Sequence, residues 1–202
     1  MNKSKKIIGI LISLSIMLPI VSCKNKSNPD TISGATTEHD KEKKLLLPPK
    51  SDTYTTIGLM PGLEGFVVKY DDNFYRGGEL YSKKGVQSLK SLNILTILSI
   101  TPTEVERKMA KKYGLTLFEI PFTKDTGLSE IDLKNVINIL KKENMPIYVH
   151  CRGGAHRGGI LGIVYRIYKN NWSLENALLE YGYLGGSLKD DQKMIQSIKK
   201  NN

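Results

Sequence analysis

The sequence predicts an α/β fold in which a central, mostly parallel sheet is flanked by helices. Three observations carry that prediction. Ile94 to Ile100 is a continuous apolar run of strand length, as expected of a strand buried on both faces of a parallel sheet. Pro146 to His150 is a short β-branched segment that ends abruptly at Cys151; a glycine-rich turn follows, and the chain reads as helix from about Arg157. Around these two stretches strand-length and helix-length segments alternate, the pattern of an α/β sandwich.

The 202 residues have room for one ordinary domain and an N-terminal extension. Lys3, Lys5 and Lys6 precede an apolar run from Ile7 to Val21 that is too short and poorly flanked for a membrane span, so residues 1–22 read as a secretory signal peptide. Ile20-Val21-Ser22-Cys23 resembles the lipobox of bacterial lipoproteins, which implies that Cys23 is lipidated and becomes the first mature residue. Residues 23–54 are polar, rich in Lys, Ser, Asp and Thr, and carry Pro48-Pro49, a flexible tether by composition. The expected location is the cell envelope, lipid-anchored and extracytoplasmic, with the outer membrane or periplasm as destination where the cell has them.

Residues 55–202 form the predicted domain. Gly65 to Tyr70, the turn Asp71-Asp72-Asn73 and Phe74 to Arg76 read as a hairpin, and a helix follows from about Ser82 to Leu92. Thr103 to Tyr113 is a helix closed by Gly114, and Leu115 to Pro121 another strand. A helix starts near Ser129, with Leu133, Val136, Ile137 and Leu140 on one face. The stretch Ile160 to Tyr165 is apolar nearly all round, as suits a helix at the domain centre. Ser173 is placed to cap the next helix, and Asp190 to Lys200 gives a last, basic one.

His150-Cys151-Arg152-Gly153-Gly154-Ala155-His156-Arg157 holds a cysteine and an arginine separated by five residues. A strand that runs through a turn into a helix start gathers unpaired N–H groups and attracts an oxyanion. Five intervening residues let the loop curl around a tetrahedral dianion, with Arg157 offering a bidentate fork to its oxygens. The same amides and guanidinium favour a thiolate at Cys151, the form that attacks. The Gly-Lys-Ser/Thr ending of a nucleotide-binding loop and the Gly-X-Gly-X-X-Gly fingerprint are both absent.

On these residues the chain resembles the cysteine-dependent protein tyrosine phosphatase superfamily. Asn73 to Glu79 resembles the opening of its bacterial and plant-type dual-specificity members. The resemblance implies a twisted central sheet with Cys151 as nucleophile. Phosphate would be bound by Arg152, Gly153, Gly154, Ala155, His156 and Arg157, with His150 orienting the loop. It also implies an aspartate, on the loop after the strand ending at Pro121, that protonates the leaving oxygen. Asp125 is the carboxylate of that loop and Asp132 the fallback. Arg76 is expected either at the substrate entrance or in a structural salt bridge. The family usually has Ser or Thr after the arginine; here Gly158 stands there, so slower breakdown of a phosphocysteine is expected.

The expected activity is phosphomonoester hydrolysis on phosphotyrosine or dual-specificity substrates, or on inositol phosphates and phosphoinositides. The alternative is an impaired, phosphate-binding lipoprotein, and a rhodanese-type sulfur-transfer loop is a third option that is usually shorter. No cofactor is expected. His39, His150 and His156 lack the spacing of a metal site with further cysteines. The net charge is +10, or +7 without Lys3, Lys5 and Lys6. With few aromatics among the lysines, that charge favours a membrane surface and phosphorylated substrates as partners over nucleic acid. A monomer is the expectation.

Overall fold

The computed structural model describes residues 51–142 and 146–199. The expected signal peptide, the lipidation site Cys23 and the tether as far as residue 50 lie outside the described residues. Six strands form one sheet in the order β1-β2-β3-β6-β4-β5. They are β1 (Thr55–Leu59), β2 (Phe66–Asp71), β3 (Phe74–Gly77), β4 (Thr96–Ser99), β5 (Thr116–Glu119) and β6 (Ile147–His150). The pairs β1/β2 and β2/β3 are antiparallel, whereas β3/β6, β4/β6 and β4/β5 are parallel. The expected hairpin is β2–β3, and the mixed, mostly parallel sheet is as the sequence predicted.

The helices are α1 (Lys83–Ser91), α2 (Glu104–Tyr113), α3 (Glu130–Lys142), α4 (His156–Tyr168), α5 (Leu174–Tyr183) and α6 (Gln192–Lys199). Their ends follow local chemistry. The Thr103 side chain accepts from the Glu106 N–H at α2, Lys111 and Lys112 sit in its last turn, and Gly114 closes it at φ 68°. Ser173 caps α5 by accepting from the Asn176 N–H.

Alternation along the strands sorts side chains into two cores. Leu98, Ile147 and Val149 pack with buried residues of α3, α4, α5 and α6; Ile97 and Tyr148 point the other way, into a core with Val86 and Leu89 of α1 and Ala110 of α2. Because β6 lies between β3 and β4, its C-terminal end opens at the middle of the sheet, where parallel α/β proteins place ligands.

Two features differ from the sequence reading. Strand β1 was not anticipated; it is half-exposed and broken by a bulge between Thr56 and Gly58, where Gly58 has φ 100°, so its apolar alternation is weak. The tether boundary at residue 54 falls inside docked chain. The Thr53 carbonyl accepts from Arg166, the Thr53 hydroxyl donates to Glu180, and Tyr54 is buried.

Candidate active site

Strand β6 delivers His150 and Cys151 to the sheet's centre, and α4 begins five residues later. Cys151 is buried and unpaired. The turn between them rests directly on β3. Gly154 has φ 81°, and a Cβ there would stand 2.5 Å from the Gly77 carbonyl carbon, so only glycine fits. The Glu79 N–H donates to the Arg152 carbonyl at 3.0 Å, tying the loop to the chain leaving β3. Ala155 at the N-cap has no side chain to cap α4, so it leaves the helix's first N–H groups to other partners. Arg157, half-buried, leans over the loop after β5 and donates from Nη1 to the Phe122 carbonyl at 3.4 Å.

Cys151 to Arg157 thus form the turn between β6 and the first residues of α4. Arg152 and Gly153 are exposed, Gly154 buried, and Ala155 and His156 half-buried. Gly158 is buried, yet a Cβ there would meet Arg76 Cγ at 3.5 Å and the Cys151 nitrogen at 3.7 Å, ordinary contacts. The position thus has room for a side chain and lacks the hydroxyl that one would bring.

The carboxylates behave differently. Asp125 faces solvent: its side chain is 86% exposed and pairs with Lys193 of α6 at 3.3 Å. Asp132 lies in the first turn of α3, where it accepts from the Ser129 hydroxyl at 2.6 Å while its own N–H donates to Ser129 Oγ, a capping arrangement. Arg76 is neither at an entrance nor, among the described residues, in an ion pair. It is 3% exposed and donates to the Leu184 carbonyl at 2.8 Å, because β3 carries it under α4 rather than out to solvent.

Two carboxylates at the site were missed by sequence reasoning. Glu106 of α2 is fully buried and accepts from His150 Nε2 at 2.5 Å and from the Ser99 hydroxyl at 2.8 Å. That fixes the His150 ring, whose Nδ1 faces the Cys151 carbonyl at 3.4 Å. Asp191, just before α6, is fully buried and accepts from His156 Nδ1 at 2.6 Å, while its other oxygen faces the Lys124 ammonium at 3.1 Å. The only local signal was a charged residue in a short amphipathic stretch, which reads as solvated. Among the described residues no group of three or more His, Cys, Asp or Glu could hold a metal ion.

A six-stranded sheet flanked by helices, with Cys-X5-Arg curled between its central strand and a buried helix, is the arrangement of the tyrosine and dual-specificity phosphatase superfamily. The chain belongs to the tyrosine phosphatase family, whose model matches residues 65–202. It is 31% identical over 122 residues to inositol diphosphatase DSP4 of Arabidopsis thaliana, a match covering 55% of this chain and 59% of that one. It is 27% identical over 130 residues to the tyrosine-protein phosphatase-like protein OCA2 of Saccharomyces cerevisiae, covering 61% and 66% respectively. The chain thus spans about three fifths to two thirds of these relatives. Among solved structures, P. aeruginosa TpbA in complex with pTyr superposes with a TM-score of 0.57 at 20% identity, over 73% of this chain and 91% of that one. The core catalytic domain of the PP-IP phosphatase SIW14 from S. cerevisiae gives 0.50 at 24% identity, over 61% and 79%. At these identities the structural likeness establishes the fold.

Proposed function

We propose that the protein hydrolyses phosphomonoesters through a phosphocysteine intermediate. The observation that carries this reading is the cradle itself: Cys151 and Arg157 at the two ends of a turn that Gly154 presses against Gly77, opening at the uncapped start of α4. Cys151 Sγ attacks phosphorus, forming an S–P bond as the bond to the leaving oxygen breaks. The loop N–H groups and the Arg157 guanidinium hold the three equatorial oxygens, whose charge grows in the transition state. Water then displaces the sulfur and orthophosphate leaves. A proton must reach the leaving oxygen, and Asp125 could supply it only after giving up Lys193.

Phosphotyrosine or other phosphoprotein substrates and inositol phosphates or phosphoinositides are the proposed substrate classes. Names among the relatives and neighbours, inositol diphosphatase and a complex with pTyr, point to both. Exposed Arg152 and Lys124 put positive charge at the mouth, which supports substrates with more than one phosphate. The test is phosphate release by the full chain from a panel of phosphopeptides, phosphoinositides and inositol phosphates, with Cys151→Ser as control. Cys151-dependent release is expected. Its absence, with phosphate still bound, would favour the second reading, a phosphate-binding protein impaired by Gly158.

The protein is also proposed to be a lipid-anchored, extracytoplasmic monomer. The support is the sequence of residues 1–23: three lysines, an apolar run and Cys23 after a small residue. Acyl labelling that persists in Cys23→Ser would end that proposal.

A further inference from the structure

The His156 ring, on the phosphate loop and next to Arg157, is fixed by a carboxylate out of reach of solvent. Asp191 Oδ2 accepts from His156 Nδ1 at 2.6 Å, from the Tyr181 hydroxyl at 2.5 Å and from the Ser187 N–H at 3.0 Å; Oδ1 faces Lys124 at 3.1 Å. Burial pushes the Asp191 carboxyl up, but the bonds from Tyr181, His156, Ser187 and Lys124 outweigh it and hold its pKa at about 2. The carboxylate is therefore charged near neutral pH, and His156 Nδ1 carries the proton it donates. Nε2, on the far side of the ring, bonds to none of the described residues, and the side chain is 38% exposed. Lys124 Nζ also lies 3.3 Å from Nδ1, Tyr181 of α5 and Ser187 reach the ring's partner Asp191, and Arg157 follows His156 in α4.

An imidazole held by a carboxylate at one nitrogen, with the other unbonded among the described residues and the ring carried by the same turn as Cys151 and Arg157, has the parts of a proton-transfer group. The carboxylate expected in that role, Asp125, is turned out to solvent and paired with Lys193. We infer that His156, oriented by Asp191, gives a proton to the leaving oxygen and later takes one from the attacking water. This rests on the phosphatase reading. In the first step the S–P bond forms, the P–O bond breaks, and the Nε2 proton of the imidazolium moves to the leaving oxygen. In the second, water attacks phosphorus, its proton passes to Nε2, and the S–P bond breaks to release the Cys151 thiolate. His156 is the catalytic residue here and Asp191 a positioning residue.

The experiment is a series of aryl phosphates whose phenols span a wide range of acidity, turned over by the full chain and its variants. A proton donor matters most for poor leaving groups, so His156→Gln should lose about 100-fold or more on the least acidic phenols and little on the most acidic. Asp191→Asn should steepen the same dependence by less, mainly through kcat, since the amide oxygen still accepts from Nδ1. Thermal unfolding of both variants separates misfolding from chemistry. An unchanged leaving-group dependence in folded His156→Gln overturns the inference, as does a steepening found only in Asp125→Asn. No Cys151-dependent release by the unaltered protein would remove the phosphatase reading and this inference together; release without a His156 effect removes only the inference.

Discussion

Replacing Glu106 by glutamine perturbs the cradle from behind without touching the loop. Each carboxylate oxygen now serves one buried donor, His150 Nε2 at 2.5 Å and the Ser99 hydroxyl at 2.8 Å. Glutamine keeps one oxygen and turns an NH2 toward the other donor, so one buried group loses its acceptor and the remaining bond loses its charge. An unsatisfied buried donor costs about 1–3 kcal/mol, and bonds to charged groups are worth about 1.5–3. A loss of about 2–3 kcal/mol is expected, or roughly 5–10 °C in melting temperature for a domain of this size. Glu106→Ala, which strands both donors, should cost more, about 3–5 kcal/mol. Urea unfolding measures this as a lower midpoint at unchanged slope. A glutamine variant within about 0.5 kcal/mol of the parent, or an alanine variant no worse than the glutamine one, would refute the assignment of Glu106 as the anchor of His150.

Three further outcomes are expected. Gly158→Ser should fold normally, because its Cβ meets only ordinary contacts. It should speed phosphocysteine breakdown by roughly tenfold or more if the hydroxyl supports the departing sulfur; single-turnover and steady-state rates on one aryl phosphate separate the two steps. Gly154→Ala forces a side chain into φ 81° and 2.5 Å from Gly77, so Cys151-dependent release should vanish while far-UV circular dichroism changes little. Asp191 has a folded pKa of about 2 against 3.8 ordinarily. Its contribution, about 2 kcal/mol, is complete above pH 4 and is lost as pH falls through 2. Urea midpoints between pH 5 and 2 should fall more steeply in the parent than in Asp191→Asn, and parallel curves would contradict the hydrogen-bonded hub.

The elements legible in the sequence were those whose physics is local. The Thr103 cap, the Gly114 stop and the unbroken apolar stretch of α4 each declare themselves within one or two turns of chain. The cradle was legible for the same reason, since Cys151 to Arg157 is contiguous. What escaped was long-range. Glu106 meets His150 across 44 residues and Asp191 meets His156 across 35, and an isolated acid on a short helix carries no mark of its distant partner. Asp125 shows the converse. Its position on the right loop was readable, but the direction of its side chain depends on Lys193, 68 residues away. Arg76, expected at the entrance or in a salt bridge, is instead buried because β3 runs beneath α4.

Helix α6 has a consequence for anyone who trims or tags this protein. Asp191 and Lys193 lie within the last dozen residues of the sequence and reach His156 and Asp125 respectively. Removing α6 and the residue before it would therefore release the His156 imidazole and the Asp125 carboxylate together, so versions cut at different points here would differ at the loop that carries Cys151 and Arg157.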